Sequence, residues 1–215
     1  MDFLDLMKNR YTTKYYDEDK KIPQDLMDKI LECYRLTPTA VNIQSTHAFL
    51  ITDKVGKGKI RDAVPDFNLQ RFDTCSAVII LCARDEISAS ELRRVAEKEA
   101  SDGRFKTQQE ITARAEHCRG YVESRRNFDG IESWTGKQAY LAMATILYAA
   151  ASYGIDSTPI EGVDTRKVDE LLGLDSGHLR TQAMVLLGYK SSKDSNTLDK
   201  RPKSRLKLSD IMTEI

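Results

Sequence analysis

From Gln138 to Ile155 the chain carries no charged side chain, although charge is dense on both sides. Between Ala139 and Ala151 only Thr145 is not apolar, and Ala is the commonest filler. Ala favours a helix more than any other residue, and a helix apolar all round has to be buried. This confines the fold to one built around a central helix. Tyr153 and Gly154 end that helix, with Gly154 where a left-handed C-terminal residue is usual. The run approaches bilayer-spanning length. Its Gln138, Thr145, Ser152 and tyrosines, with Ala in place of Leu, point instead to a core or subunit-interface helix. GIDSTPIEG (Gly154 to Gly162) follows as a short connection, and the helix is expected to deliver this turn to a site.

A chain of 215 residues is expected to form a single domain, 1–215, here with a helical excursion at about 86–129. Lys plus Arg and Asp plus Glu both number 33, so no net field steers nucleic acid or an anionic membrane. The four cysteines show no CxxC spacing and read as reduced thiols of a cytoplasmic protein. MDFLDLMKNR lacks the positive charge and long apolar run of a secretory signal. His47, His117 and His178 lie apart from one another and from the cysteines, which offers no metal set; His47 reads as a hydrogen-bonded core residue. No dinucleotide turn, P-loop or Gly-x-Ser-x-Gly elbow is present.

In chain order, a short amphipathic helix ends near Arg10, and the β-branched and aromatic residues of NRYTTKYYD (Asn9 to Asp17) disfavour its continuation. Pro23 starts a second helix, with Leu26, Met27, Ile30, Leu31 and Tyr34 at helical spacing, and Pro38 stops it. TPTAVNIQS (Thr37 to Ser45) is a small-polar loop before a strand at His47 to Ile51. A Gly/Lys turn (Val55 to Lys59) and a short helix to Val64 precede an irregular piece with Phe67, Asn68 and Arg71. Ala77 to Ala83 is unbroken apolar sequence, the mark of a strand buried on both faces. Ser88-x-x-Glu91 and Thr107-x-x-Glu110 fit capping boxes and open two charged helices with solvated faces. Val168, Leu171 and Leu172 mark a helix behind Asp164, and Ala183 to Leu187 a last buried strand. Helices interspersed with three or four short strands indicate an α+β fold.

Five segments together resemble the bacterial oxygen-insensitive NAD(P)H nitroreductase and flavin reductase family: NRYTTKYYD, TPTAVNIQS, DGRF (Asp102 to Phe105), PIEG (Pro159 to Gly162) and PKSR (Pro202 to Arg205). With Trp134 and Gln138 opening the long helix, they cover nearly the whole chain. The resemblance implies a nitroreductase-like fold, with a small, mainly antiparallel central sheet flanked by helices and the long helix at a homodimer interface. It also implies FMN as cofactor and NADH or NADPH as electron donor. Arg10, Lys203 and Arg205, with Tyr11 and Thr12, would gather at the FMN phosphate, a group suited to cations and hydrogen-bond donors. Lys14 would sit near the pyrimidine end of the flavin, where a cation stabilises developing negative charge. Asn68 and Arg71 would contact the same edge, Arg71 standing where better-known members have Lys. Thr39, Ala40 and Asn42 would come from the other subunit, and Gln138 would also bind the cofactor. The backbone of Pro159, Ile160, Glu161 and Gly162 would face the reactive nitrogen, with Glu161 acting through its amide and Gly162 admitting substrate.

Val41, Phe67, Asn68, Arg104, Tyr121 and Val122 would line the substrate side. The implied reaction is a ping-pong, two-electron reduction of nitroaromatics, quinones or flavins, with no side chain as nucleophile or base. Another acceptor, such as a pteridine, and a non-catalytic flavin-binding dimer are the alternatives. Three departures from the family pattern bear on the acceptor. Thr39-Ala40-Val41-Asn42 replaces the common Ser-Ser-Thr-Asn, Ser45-Thr46 replaces Pro-Trp, and Tyr121-Val122 replaces a Phe pair.

Overall fold

The structure, a computed structural model, describes residues 2–215. One antiparallel sheet has the order β1 (Thr46–Ile51), β2 (Ala77–Arg84), β4 (Leu179–Gly188), β3 (Asp156–Ile160). Successive side chains of a strand point to opposite faces, and β2 uses both. Ala77, Ile79 and Leu81 pack with Met27 and Ile30 of α2 (Gln24–Arg35) and with Ile146 and Ala150 of α7 (Ile131–Ser152). Val78, Ile80 and Cys82 pack with Ile60 of α3 (Lys54–Ile60), Phe72 of α4 (Asp66–Thr74) and Val168 of α8 (Thr165–Leu172). Covered on both sides, the central strands are apolar throughout. β4 begins earlier than its apolar core suggests. Its pairing with β2 slips between Leu81 and Cys82, a bulge that leaves Gln182 without a partner on β2.

α1 (Phe3–Asn9) precedes the extended Arg10–Asp17 segment, which bridges to the end of the sheet where β3 begins and β4 finishes: Thr12 pairs with Ser157 and Tyr16 with Lys190. Both expected capping boxes are formed, at the starts of α5 (Ala89–Ser101) and α6 (Gln108–Phe128). The helical pair is tied down rather than free-standing. A third buried cluster joins Leu92 of α5 and Cys118 and Val122 of α6 to Ile43, Ile131 and Trp134. A last turn of helix, α9 (Leu208–Ile211), is exposed. Among the described residues, no helix is long and apolar enough to cross a membrane.

α7 ends as expected. Gly154 is left-handed at φ 72, its N–H donates to the Ala151 carbonyl, and that of Ile155 donates to Ala150. These are the paired bonds of a Schellman cap. The helix is not enclosed on all sides, however. Tyr140 and Leu141 are 39% and 52% exposed, and with half-buried Ala144, Thr145 and Tyr148 they form one helical stripe. Phe3 of α1 packs edge-on against Tyr148 and extends that apolar surface.

Four other local expectations are overturned. The Gly/Lys turn lies inside α3, because Asp53 caps the helix by accepting from Gly56 N and tertiary packing overrides two glycines. The Phe67–Arg71 piece lies within α4, whose Asn68 and Phe72 form a buried i, i+4 face. The PIEG connection is half strand: Pro159 and Ile160 belong to β3, opposite Val185 and Met184, and Glu161 and Gly162 lie beyond it. An edge strand tolerates proline because one of its sides needs no donors. His47 is exposed rather than core, since β1 is the other edge strand; its ring meets Phe49 edge-on.

Candidate functional site

The residues singled out in the sequence gather into two clusters on one chain. In the first, Arg10, Tyr11, Thr12, Lys203 and Arg205 line a cavity of about 320 Å³ with Arg201. The ends of the chain are held together by backbone capture: the Lys203 ammonium donates to the carbonyls of Met7 and Arg10. Burial, followed by the charges of Arg10 and Arg205, lowers the Lys203 pKa. Burial likewise lowers that of Arg10, against a partial offset from Tyr148 and with a lesser push the same way from Arg205, and Arg10 Nη1 is buried without a hydrogen-bond partner. Four cations are therefore held close together with no carboxylate among the cavity-lining residues. An arrangement of this kind fits a phosphate, which would satisfy the orphaned donor and offset the repulsion.

An anion bound there raises the Lys203 pKa, so the free protein must take up a proton to bind once Lys203 has begun to lose its own. Affinity for inorganic phosphate is therefore expected to be fully developed below the lowered pKa and to fall as pH rises through it. The decline should set in below the ordinary lysine value of 10.5, as read by calorimetric titration across the alkaline range.

Lys14 lies further along the same extended segment. Burial lowers its pKa, and Arg71 and then Arg201 push the same way, against a partial offset from Asp194. Lys14 and Arg71 thus make a second cationic centre. Beside it, Asn68 Nδ2 donates to the Gly162 carbonyl at 2.7 Å, fixing the end of β3 to α4. Gly162 suits this packing: a Cβ would stand 3.3 Å from the Asn68 amide and from the exposed Phe67 ring, close enough that one of them would have to shift. The Glu161 carboxylate accepts from Tyr140 of α7 at 2.5 Å, and this bond, ahead of burial, raises the Tyr140 pKa to about 12.

Asp194 was not anticipated. Wholly buried in the SSKDSN loop, it accepts from Tyr11 Oη at 3.0 Å and from the N–H groups of Lys14 and Asn196, both at 3.1 Å. Asn196 in turn donates to the Thr12 carbonyl at 2.7 Å. These two residues set the path of the segment that carries Arg10, Thr12 and Lys14. The only local signal is the Asp-x-Asn pattern of an Asx turn.

The second cluster surrounds the Thr39–Gln44 loop. Gln138 Oε1 accepts from Ala40 N at 3.0 Å, while the buried Nε2 of Gln138 has no partner and fits an acceptor on a ligand. Thr39 turns inward, accepting from Gln44 N at 3.0 Å. Asn42 donates to Glu99 at 2.9 Å, so its amide is engaged within the chain. Arg104 also reaches Glu99, at 3.2 Å. Of the two residues expected at the substrate wall, Tyr121 is exposed and leans on Trp134. Val122 is 1% exposed within the third core, so it does not face an open pocket. Successive helical positions are turned by about 100° around the axis, which lets Tyr121 reach the surface while Val122 packs inward. Among the described residues, no three His, Cys, Asp or Glu side chains are placed to hold a metal ion.

A family model described as the Nitroreductase family matches residues 7–189. The chain is 30% identical to the oxygen-insensitive NAD(P)H nitroreductase of Salmonella typhimurium over 219 residues, covering 100% of each. It is also 30% identical to the major NAD(P)H-flavin oxidoreductase of Aliivibrio fischeri, covering 96% of this chain and 95% of that one. Among solved structures, a nitroreductase-type protein from Exiguobacterium sibiricum in complex with FMN superposes with a TM-score of 0.85 at 23% identity, covering 100% and 98%. Its α+β architecture is therefore the nitroreductase-like fold, and by both its sequence and that family model the chain belongs to the nitroreductase family.

Proposed function

We propose that the protein is an FMN-dependent oxidoreductase that takes electrons from NADH or NADPH and reduces small acceptors such as nitroaromatics, quinones or flavins. The observation that carries this reading is the pair of cationic centres on one extended segment. Arg10, Lys203 and Arg205 lack an anion at one end, and Lys14 and Arg71 repel each other at the other. A ligand with a phosphate at one end and a ring that gains negative charge at the other satisfies both. The relatives from Salmonella typhimurium and Aliivibrio fischeri carry the corresponding names, and the Exiguobacterium sibiricum neighbour was solved with FMN.

FMN would supply the redox chemistry: a ring that accepts a hydride equivalent and passes on two electrons. The chain supplies position and charge. Lys14 and Arg71 stabilise negative charge at the ring's polar edge. Asn68 fixes the Gly162 backbone beside that edge, leaving the Glu161 and Gly162 amides outside the strand ladder. Tyr140 holds the Glu161 carboxylate and thereby the conformation of that backbone. The Phe67 ring would border the space where donor and acceptor take turns, and Val41, Arg104 and Tyr121, which lie with the second cluster, would border that of the partner subunit.

The second cluster, with Thr39, Ala40, Asn42 and Gln138, would serve the site of a partner subunit in a homodimer. The uncovered stripe of α7 and the exposed Phe3 and Leu4 of α1 support this assembly. An aromatic and aliphatic patch of this kind marks an association surface. The purified protein should be yellow, bleach anaerobically with NADH or NADPH, and regain colour when an acceptor is added. It should also sediment as a dimer. Leu141→Glu, which puts a charge in the centre of the stripe, should yield monomers that lose FMN. A colourless protein that cannot be loaded with FMN would exclude the proposal, and a dimeric Leu141→Glu variant would exclude this interface.

A further inference from the structure

Glu99 of α5 is 3% exposed, yet it faces the Thr39–Gln44 loop rather than solvent. Its carboxylate accepts from Asn42 Nδ2 at 2.9 Å, from Arg114 Nε at 2.8 Å and Nη2 at 3.2 Å, and from Arg104 at 3.2 Å. Arg114 Nη2 also donates to the Val41 carbonyl at 2.8 Å, so one guanidinium binds both the acid and the loop. Burial opposes the charge on Glu99, but the Arg114 and Asn42 bonds outweigh it and keep its pKa below the ordinary carboxylate value.

The segment gripped in this way is strained. Val41, Asn42 and Gln44 have φ of 46, 53 and 51. Asn tolerates the left-handed region, but a β-branched residue there is a true outlier. Strained backbone persists only where its surroundings over-determine it. Here the surroundings are the carboxylate and guanidinium of the two charged helices, together with Gln138 at Ala40 N.

We propose that the buried Glu99–Arg114 pair is a positioning device. It holds Val41 and Asn42 left-handed so that Thr39 and Ala40 meet FMN in the partner subunit's site. The α5–α6 excursion is then a buttress for the cofactor loop. This inference rests on the FMN reading above, and its test separates the two.

The test uses the full-length protein, with FMN affinity measured by fluorescence quenching and amide exchange of residues 40–44 measured in the absence of FMN. Glu99→Gln keeps the shape but removes the charge. It should accelerate exchange of those amides and weaken FMN binding by roughly tenfold, the equivalent of one left-handed β-branched residue left unheld. Adding Val41→Gly should restore most of that affinity, because glycine adopts the left-handed region without the clash. A salt bridge with only a general structural role would lower the melting temperature without any such rescue. Arg114→Lys, which keeps the charge but loses the forked geometry, serves as the second variant should Glu99→Gln fail to fold. The proposal is overturned if Glu99→Gln leaves both readouts at wild-type values, or if Val41→Gly fails to rescue. A wild-type protein that binds no FMN would sink the functional reading, while the exchange of residues 40–44 would still decide the role of the pair.

Discussion

Alanine in place of Arg10 is expected to weaken FMN binding by roughly one to two orders of magnitude while leaving the free protein as stable as before, or more stable. Hydrogen bonds to charged groups contribute about 1.5–3 kcal/mol, and each 1.4 kcal/mol is about tenfold in affinity. Arg10 is the strongest case among the four cations because its Nη1 is already buried and unpartnered. Without an anion, its charge is a liability: burial and the neighbouring Arg205 both disfavour it, and it in turn lowers the Lys203 pKa. Removing it relieves that repulsion. Melting curves with and without FMN check both halves of the statement. A marked fall in the midpoint of the FMN-free protein would identify Arg10 as a structural strut rather than a phosphate ligand.

Asp194→Ala is the second large effect, and it acts in the opposite sense, on the free protein. The substitution removes the acceptor of Tyr11 Oη and of the Lys14 and Asn196 N–H groups. A buried donor left unsatisfied costs about 1–3 kcal/mol, so a loss of about 3 kcal/mol or more is expected. For a chain of this size that is a drop of roughly 6–12 °C in Tm. FMN affinity should fall as well, because the segment carrying Arg10, Thr12 and Lys14 loses its anchor. Asp194→Asn, which retains one acceptor for the two N–H groups, should recover most of the stability. Equal losses in the two variants would mean that the charge, rather than the hydrogen-bond geometry, matters.

The legible parts of the fold were those with a strong local signature. The apolar body of α7, its Gly154 cap, both capping boxes and the doubly buried β2 follow from residue type and spacing alone. α4 was missed because DFNLQRFDT is mostly polar, and its buried face of Asn68 and Phe72 is visible only against the strands it covers. β3 was missed because DSTPI shows no apolar alternation; its strand pairing is imposed by β4. The stripe on α7 follows the same logic. Composition tells that a surface is apolar, while geometry tells which side the chain itself covers.

For the candidate site, the gathering of Arg10 with Lys203 and Arg205 came from family likeness, since residues so distant in sequence carry no mutual periodicity. Asp194 went unnoticed for a related reason. A lone acid in a polar loop looks like every other solvated acid, and its partners Tyr11 and Lys14 lie at the far end of the chain.

The joining of the two chain ends has a consequence for biosynthesis. The Lys203 ammonium reaches back 193 positions to the Arg10 carbonyl, and Asp194 reaches back 180 to Lys14 N. Translation proceeds at about 5–20 residues per second, so Arg10 waits on the order of ten seconds or more for its partners to be made. During that interval α7 can form, but β4, which joins β2 to β3, ends only at Gly188, so the sheet and the proposed phosphate cluster are both completed late. If that cluster holds the FMN phosphate as proposed, cofactor capture is confined to chains released or nearly released from the ribosome.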